Sequence, residues 1–137
     1  MRISRRLLAG LTTATLALSV TSCGGGSGSA SFDNEVTVGI LHSLSGVMSI
    51  SEKTLVETEK MAIAEINKAG GIIIDGESYE IKYVVEDGAS NWPLFAEKAG
   101  QMIDAGYPVI FGGWTSASRD AMEPVFESKK GFLYYPI

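Results

Sequence analysis

From Val36 onward the chain alternates short apolar runs with longer segments of helical spacing, and this alternation restricts the fold more than any other feature. Four runs, at residues 36–41, 79–86, 108–111 and 131–135, have the β-branched and aromatic character of buried strands. The order strand, helix, strand, helix, strand, helix, strand favours parallel pairing with right-handed crossovers. The sequence therefore predicts an α/β fold in three layers, with a parallel sheet between helices.

Three helices connect the strands in this prediction. The first begins near Ser49, where Ser49 and Glu52 have the spacing of a capping box, and Gly70-Gly71 ends it. The second begins at Trp92-Pro93, and the third spans 117–128. The predicted buried faces are Leu55, Ala62, Ile63, Ile66 and Ala69 for the first helix, and Phe95, Ala99, Met102 and Ile103 for the second.

The first 22 residues have the pattern of an export signal. Met1–Arg6 is basic, and Leu7–Val20 is a mostly apolar run of 14 residues, shorter than the roughly 20 that a membrane span needs. Val20-Thr21-Ser22-Cys23 resembles the lipobox of bacterial lipoproteins, in which the cysteine is acylated and becomes the first residue after cleavage. We therefore expect residues 1–22 to be a signal peptide. Cys23, the only cysteine, would then anchor the exported protein to the membrane, on its periplasmic or extracellular face.

Residues 23–35 are predicted to be a tether between the lipidated cysteine and a folded part at 36–137. Gly24–Ser31 contains only Gly, Ser and Ala, a composition with little to bury. After Cys23 the chain has eight basic and 16 acidic residues, a net charge of −8. A body this acidic is a poor phosphate binder, which argues against a nucleic-acid partner.

Three loops follow the predicted strands and should meet at the carboxyl edge of the sheet, where open α/β folds bind ligands. They span residues 42–50, 87–91 and 112–118. The third, Gly-Gly-Trp-Thr-Ser-Ala-Ser, combines an aromatic ring and three hydroxyls with a predicted helix N-terminus. Taken alone, such a loop is more often a helix cap than a site for a small polar ligand. We expect no metal site at His42, because no Cys, His or carboxylate lies at ligand spacing from it.

Four blocks of the sequence resemble, in order, the urea-binding proteins of bacterial ABC transporters. The blocks are Val38–Gly46, Glu65–Gly71, Glu86–Pro93 and Phe111–Arg119. The urea-binding proteins belong to the type 1 periplasmic binding-protein superfamily, which also contains branched-chain amino-acid binders and amide-sensing regulators. The second block marks the superfamily, whereas the last two are more specific to the urea branch. The resemblance implies a solute-binding protein without catalytic residues, metal or cofactor.

The resemblance also implies a set of ligand-binding residues. Ser116 would contact the ligand through its hydroxyl and backbone, with Trp114 and Tyr135 as aromatic walls. Thr115 and Ala117 would flank the site, and Ile137 falls where the amide sensors have a polar contact. The partners implied are urea or a short-chain amide, and the permease and ATPase subunits of an ABC transporter.

Other functions stay open at the level of sequence. A branched-chain amino-acid binder or a ligand-sensing receptor would share the fold. An enzyme is disfavoured, because Ser116 lacks the Gly-x-Ser-x-Gly elbow and neither a P-loop nor Gly-x-Gly-x-x-Gly occurs.

The proteins that the chain resembles grip their ligand between two lobes, and we expect this chain to hold only the first part of the first lobe. An incomplete gene model or reading frame would explain that length. At about −1.5 kcal/mol per non-hydrogen atom, urea binding has a ceiling of roughly −6 kcal/mol, or a Kd of about 40 µM. Because part of a cleft cannot reach that ceiling, we expect the chain alone not to be competent and to bind urea undetectably in calorimetry. Saturable sub-millimolar binding would contradict this. We also expect an uncovered apolar face and an unpaired sheet edge.

Overall fold

A computed structural model describes residues 31–136, which form five strands and three helices. The elements are β1 (Asn34–His42), α1 (Ser49–Lys68), β2 (Ile72–Ile74), β3 (Glu77–Asp87), α2 (Trp92–Asp104), β4 (Ile110–Gly112), α3 (Ser116–Lys129) and β5 (Leu133–Tyr134). The predicted signal peptide, Cys23, residues 24–30 of the tether and Ile137 lie outside the described residues.

The strands form one sheet in the order β2-β3-β1-β4-β5. The four predicted strands are present and pair in parallel, as expected. β2 was not predicted: its three isoleucines pair antiparallel with the start of β3 through the Asp75-Gly76 turn. Three consecutive isoleucines have no period-2 alternation, so only the hairpin partner reveals them as a strand. The sheet is therefore parallel with one antiparallel edge strand.

Alternate residues of β1 belong to two separate cores, one on each face of the sheet. Leu41 packs with α2 and α3, in a cluster that includes Phe95 and Met122. Val38 and Ile40 pack with Val56 and Ile63 of α1 in the other cluster. Two helices thus cover one face and a single helix covers part of the other. The predicted three-layer α/β architecture is confirmed.

The predicted capping box and apolar face of α1 are wrong in part. Met48, not Ser49, is the N-cap, and its side chain makes no cap hydrogen bond. Glu52 turns inward instead and accepts a hydrogen bond from the Ser43 N–H at the end of β1. The buried residues of α1 are Glu52, Val56 and Ile63, whereas Ala62, Ile66 and Ala69 are exposed. Only Ile63 of the predicted face is buried. The remaining apolar positions leave a side of α1 without a partner among the described residues.

The other two helices begin as their sequences indicate. Asn91 caps α2 by accepting a hydrogen bond from the Leu94 N–H at 3.3 Å, and Pro93 lies in the first turn. The predicted stripe of α2 faces the core, with Phe95, Ala99 and Met102 buried. Pro124 is accommodated within α3. Within residues 31–136, no helix has the length and apolarity needed to cross a bilayer.

Candidate functional site

The three predicted loops do meet at the carboxyl edge of the sheet, and the end of β1 holds them there. The Leu41 carbonyl accepts a hydrogen bond from the Gly113 N–H at 3.0 Å, and the His42 carbonyl accepts one from the Gly88 N–H at 2.9 Å. Gly113 has a φ of +70°, and a Cβ there would lie 2.8 Å from the Met122 Cε. A side chain at position 113 would therefore disturb both the loop and the core.

The hydroxyls of the loop before α3 have different roles. Thr115 is the N-cap: its Oγ1 accepts from the Ser118 N–H at 3.0 Å. Ser118 is fully buried and donates its hydroxyl to the Thr115 carbonyl at 2.7 Å. Ser116 is exposed, and no described residue bonds to its hydroxyl. Thr115 and Ser118 thus stabilise the helix start, which leaves Ser116 as the hydroxyl available to a ligand.

Backbone donors are available at the same place. The first N–H groups of a helix have no intrahelical acceptor. Thr115 satisfies that of Ser118, while those of Ser116 and Ala117, both exposed residues, have no acceptor among the described residues. They add two donors and the positive end of the α3 dipole to the edge of the sheet.

Tyr135 joins this loop to the end of β5. Its hydroxyl donates to the Trp114 carbonyl at 3.1 Å, and both side chains are half-buried. The guanidinium carbon of Arg119 lies 5.5 Å from the centre of the Tyr135 ring, within the range of a cation–π contact. The structure therefore brings Trp114, Thr115, Ser116, Ala117 and Tyr135 together, whereas Ile137 lies outside the described residues. Because the Tyr135 hydroxyl already donates to the Trp114 carbonyl, the ring is the part of Tyr135 that could form an aromatic wall of the site.

Asp87 binds the first two loops together, a role that the sequence did not indicate. An acidic residue at a strand end is usually solvated, or it could orient a ligand amide. The Asp87 carboxylate instead accepts from the N–H groups of Leu44, Ser45 and Ala89 and from the Ser45 hydroxyl, at 2.8, 3.2, 2.7 and 2.6 Å. Although partial burial opposes ionisation, these hydrogen bonds lower the pKa of Asp87. Neighbouring Glu86 forms an ion pair with Lys98 instead.

Ser90 completes the connection between these loops. Its Oγ accepts from the Met48 N–H at 3.0 Å and donates to the Ser45 carbonyl at 3.1 Å. Ala89 and Ser90 both have left-handed backbone conformations, with φ of 50° and 53°, which non-glycine residues adopt at a cost. We name the contacts of Asp87 and Ser90 with residues 43–48 the loop clasp. It fixes the backbone of the first loop relative to the second.

His42 is buried between two carboxylates at the start of the first loop. Its Nδ1 lies 3.2 Å from Glu52 Oε2, and its Nε2 lies 3.1 Å from Glu59 Oε1. Burial alone would lower the pKa of His42, but the two carboxylates outweigh burial and raise it to about 9. Burial opposes ionisation of Glu52 as well, yet His42 and the Ser43 N–H lower its pKa. His42 is thus an imidazolium at neutral pH, with neither ring nitrogen free to act as a base.

No carboxylate lies at ligand spacing from His42 in the sequence, yet α1 brings Glu52 and Glu59 to its ring. Glu52 and Glu59 are seven residues apart on α1, and Glu52 shares its buried side with Val56 and Ile63. Glu52 lies at helical spacing from the apolar residues Val56 and Ile63, a pattern that indicates a buried carboxylate. The interpretation of Glu52 as part of a capping box concealed this pattern. No group of three or more His, Cys, Asp or Glu side chains in residues 31–136 is arranged to hold a metal ion.

A parallel sheet covered by helices, with its polar loops gathered at the carboxyl edge, is the construction of a lobe of a type 1 periplasmic binding protein. Residues 36–137 match the family model described as "Periplasmic binding protein domain". The match spans most of the chain, which therefore belongs to this family of solute-binding proteins. No curated protein sequence matches the chain.

Solved structures give the same fold. The branched-chain amino acid transporter substrate binding protein LivJ of Streptococcus pneumoniae, in complex with isoleucine, is 23% identical with a TM-score of 0.68, and the match covers 74% of this chain and 28% of that one. The leucine binding protein LivK of Thermotoga maritima is 22% identical with a TM-score of 0.61, and the match covers 74% of this chain and 27% of that one. A periplasmic binding protein of Burkholderia mallei is 28% identical with a TM-score of 0.58, and the match covers 74% of this chain and 26% of that one. The described residues thus correspond to part of one lobe, and the chain spans little more than a quarter of these relatives.

Proposed function

We propose that this chain carries part of the ligand-binding lobe of an exported, lipid-anchored protein that captures urea or a short-chain amide. The permease and ATPase of an ABC transporter would receive the solute. Export and anchoring through Cys23 are supported by the basic N-terminus, the apolar run and the lipobox pattern. The sequence blocks that resemble urea-binding proteins support the choice of ligand.

The observation that carries the proposal is the unoccupied hydrogen-bonding capacity beside Trp114 and Tyr135. The Ser116 hydroxyl both donates and accepts, while the N–H groups of Ser116 and Ala117 donate. A planar, uncharged amide matches this set, because its carbonyl accepts from N–H groups and its NH2 donates to a hydroxyl. The aromatic rings suit its flat faces. Two exposed donors and one hydroxyl provide part of a site, so we expect weak binding by this chain alone.

A branched-chain amino acid is the second candidate ligand. The S. pneumoniae structure holds isoleucine, and a structure from Desulfitobacterium hafniense, 18% identical, holds leucine. Arg119, above the Tyr135 ring, places a cation near the loop and would favour a carboxylate. However, Arg119 pairs with Asp120 at 3.0 Å, which reduces its attraction for an anion.

Titrations followed by two-dimensional NMR of the full chain test the proposal, since they detect millimolar binding. We expect urea and acetamide, each up to about 50 mM, to shift the amide signals of residues 113–117 along saturable curves, and isoleucine to leave them unchanged. Such a concentration is far below the molar range in which urea unfolds proteins. Calorimetry should show no sub-millimolar binding.

Ser116→Ala should abolish the saturable shifts, whereas Ser128→Ala, an exposed serine of the same helix, should leave them unchanged. If isoleucine produces the shifts and urea does not, the amino-acid ligand is correct. Shifts that grow linearly with urea in both variants would contradict a site at Ser116.

A further inference from the structure

The outer edge of β3 is free over the second half of the strand. β3 pairs with β1 along its inner edge, whereas β2 covers the outer edge only at Glu77–Tyr79. Asn67 then bonds to the backbone of Ile81 on this same edge. Beyond Ile81, no strand within residues 31–136 lies beside it. An unpaired sheet edge, which the sequence led us to expect, is therefore present on the opposite side of β1 from the candidate ligand site.

The backbone groups of Tyr83 and Val85 point out of this free edge. Along a strand, the N–H and C=O groups of successive residues point alternately to the two sides. The Gly88 N–H donates to the His42 carbonyl of β1, so the even-numbered residues of β3 direct their backbone groups toward β1. Ile81 accordingly points outward. Tyr83 and Val85 share this parity, and no described residue bonds to their outward N–H and C=O groups.

Side chains of opposite charge lie on either side of these backbone groups. Val84 and Glu86 line a small cavity with residues of α2, and Lys82 lies on the same face of β3 because side chains alternate along a strand. Lys82 is exposed and pairs with Glu80 at 2.7 Å, while Glu86 is half-buried and pairs with Lys98 at 2.9 Å. This face thus carries a cation and an anion, each two residues from Val84. Such a strand is complementary to a second copy of itself that runs in the opposite direction.

Antiparallel pairing of two β3 strands about Val84 would use all of these groups. Tyr83 of one copy would lie opposite Val85 of the other, and each such pair would exchange two backbone hydrogen bonds. Lys82 would lie opposite Glu86 of the other copy, at the closer of the two cross-strand distances. The backbone donors and the charges therefore agree on one register.

Neighbouring registers do not match in this way. Moving one copy by two residues places Glu80 opposite Glu86, and moving it in the other direction leaves Lys82 opposite Gly88. Charged side chains on a free edge normally keep other strands away. Here they oppose one neighbouring register and attract in the register centred on Val84, which favours a second copy of this chain over an unrelated strand.

We propose that two copies of this chain pair antiparallel through the free edge of β3, centred on Val84, and so form one continuous sheet. The arrangement is isologous, with a two-fold axis between the two Val84 residues, and it closes because each copy uses its free edge once. A short edge buries far less than the roughly 1,200 Å² of a stable interface, so the dimer should be weak. It should also weaken as salt screens the paired charges. This proposal does not depend on the identity of the transported solute.

Hydrogen exchange of the full chain, followed by NMR, tests the pairing without any variant. Between about 20 µM and about 1 mM protein, the amides of Tyr83 and Val85 should slow about fivefold, because the partner copy supplies their acceptors. The amides of Lys82 and Val84, which face β1, should exchange at rates that do not depend on concentration. Rates at Tyr83 and Val85 that are also independent of concentration would overturn the proposal.

Charge reversal tests the register. By sedimentation equilibrium, Lys82→Glu and Glu86→Lys should each weaken dimerisation about tenfold, because each places like charges opposite one another twice in the dimer. Glu86→Lys is the sharper variant, since it lowers the net negative charge and would strengthen non-specific association. The double variant restores opposite charges and should dimerise within about threefold of the original chain.

Lys53→Glu, at an exposed lysine of α1, is the matched control and should change dimerisation less than about twofold. Circular dichroism melts should show that all variants fold alike. A double variant that dimerises no better than the single ones would overturn the register. If the control weakens dimerisation as much as Lys82→Glu, or if every variant dimerises like the original chain, the copies associate through another surface and the proposal is wrong.

Discussion

A single residue, Asn67, covers the edge of β3 next to β2. β2 pairs with β3 only as far as Tyr79, so the backbone of Ile81 lies beyond the end of β2. Asn67 reaches from the last turn of α1, and its amide donates to the Ile81 carbonyl and accepts from the Ile81 N–H, both at 2.8 Å. The side chain of a helix thus replaces a strand partner. This contact gives Asn67, which lies in the block Glu65–Gly71, a structural role.

Asn67→Ala should therefore lower the free energy of unfolding by about 2 kcal/mol, because two partly buried backbone groups lose their partners. Asn34→Ala is the control: Asn34 makes an exposed side-chain hydrogen bond to Glu77, and its loss should cost less than about 0.5 kcal/mol. Guanidinium chloride unfolding, followed by circular dichroism, measures both. Equal losses in the two variants would contradict the bridging role.

At the scale of elements, the loop clasp links the β1–α1 and β3–α2 connections. Four hydrogen bonds converge on Asp87. Gly46, with a φ of +78°, lies against the second loop, where a Cβ would be 2.7 Å from Ser90 Oγ. Specific hydrogen bonds therefore hold the two connections together, in addition to the apolar packing of Leu44.

Asp87→Asn should loosen both connections, since the amide has one acceptor oxygen where the carboxylate has two. We expect a loss of about 2 kcal/mol in folding stability and faster hydrogen exchange at the amides of Leu44, Ser45 and Ala89. Asp75→Asn, in the exposed β2–β3 turn with a φ of 52° that Asn tolerates, is the matched control. If exchange at the three amides is the same in both variants, the clasp does not depend on the Asp87 carboxylate.

The sequence predicted the elements better than the contacts between them. Periodicity located four strands and three helices, because burial on a sheet or a helix leaves a local pattern. The loops at the carboxyl edge followed from parallel topology alone. The clasp and the antiparallel β2 could not be found in this way. Each depends on residues that meet only in three dimensions, such as Asp87 and Ser45, 42 positions apart.

In the candidate site, the different roles of the hydroxyl groups could not be predicted from the sequence either. In the sequence, Thr115, Ser116 and Ser118 are three hydroxyl residues with no visible difference in role. Only the observed start of α3 at Ser116 makes Thr115 the cap and Ser118 the buried hydroxyl. Likewise, Tyr135 was expected to form an aromatic wall of the site. The hydrogen bond from its hydroxyl to the Trp114 carbonyl is visible only in the structure.

For the whole molecule, the buried imidazolium of His42 makes folding stability depend on pH. Its pKa is about 9 in the folded chain and about 6.5 when unfolded. The contribution of His42 is therefore fully present below pH 6.5 and is lost as the pH rises through 9. The pKa of Glu52 is lowered from 4.5, so its contribution is present above pH 4.5 and is lost as the pH falls further. Both contributions are complete only between pH 4.5 and 6.5.

Guanidinium unfolding between pH 6 and 10 should show a fall in stability of up to about 3 kcal/mol. His42→Gln should be less stable than the original chain at pH 6 and should lose most of this slope. The exposed pair Lys60–Glu57 provides the control, because Lys60→Gln should leave the slope unchanged. A pH-independent stability in the original chain would show that His42 is not held as a cation.

The attachment of Gly88 and Gly113 to successive carbonyls of β1 has a consequence for how such a lobe changes its preference for solutes. With the loop backbones pinned to the central strand, a shift in any one of them distorts the middle of the sheet. In the proposed site, selectivity is then more readily altered by exchanging the side chains of Trp114 and Ser116 than by changing the length or backbone path of a loop. Relatives that bind different solutes should accordingly keep the lengths of these loops and differ in the side chains that the loops carry.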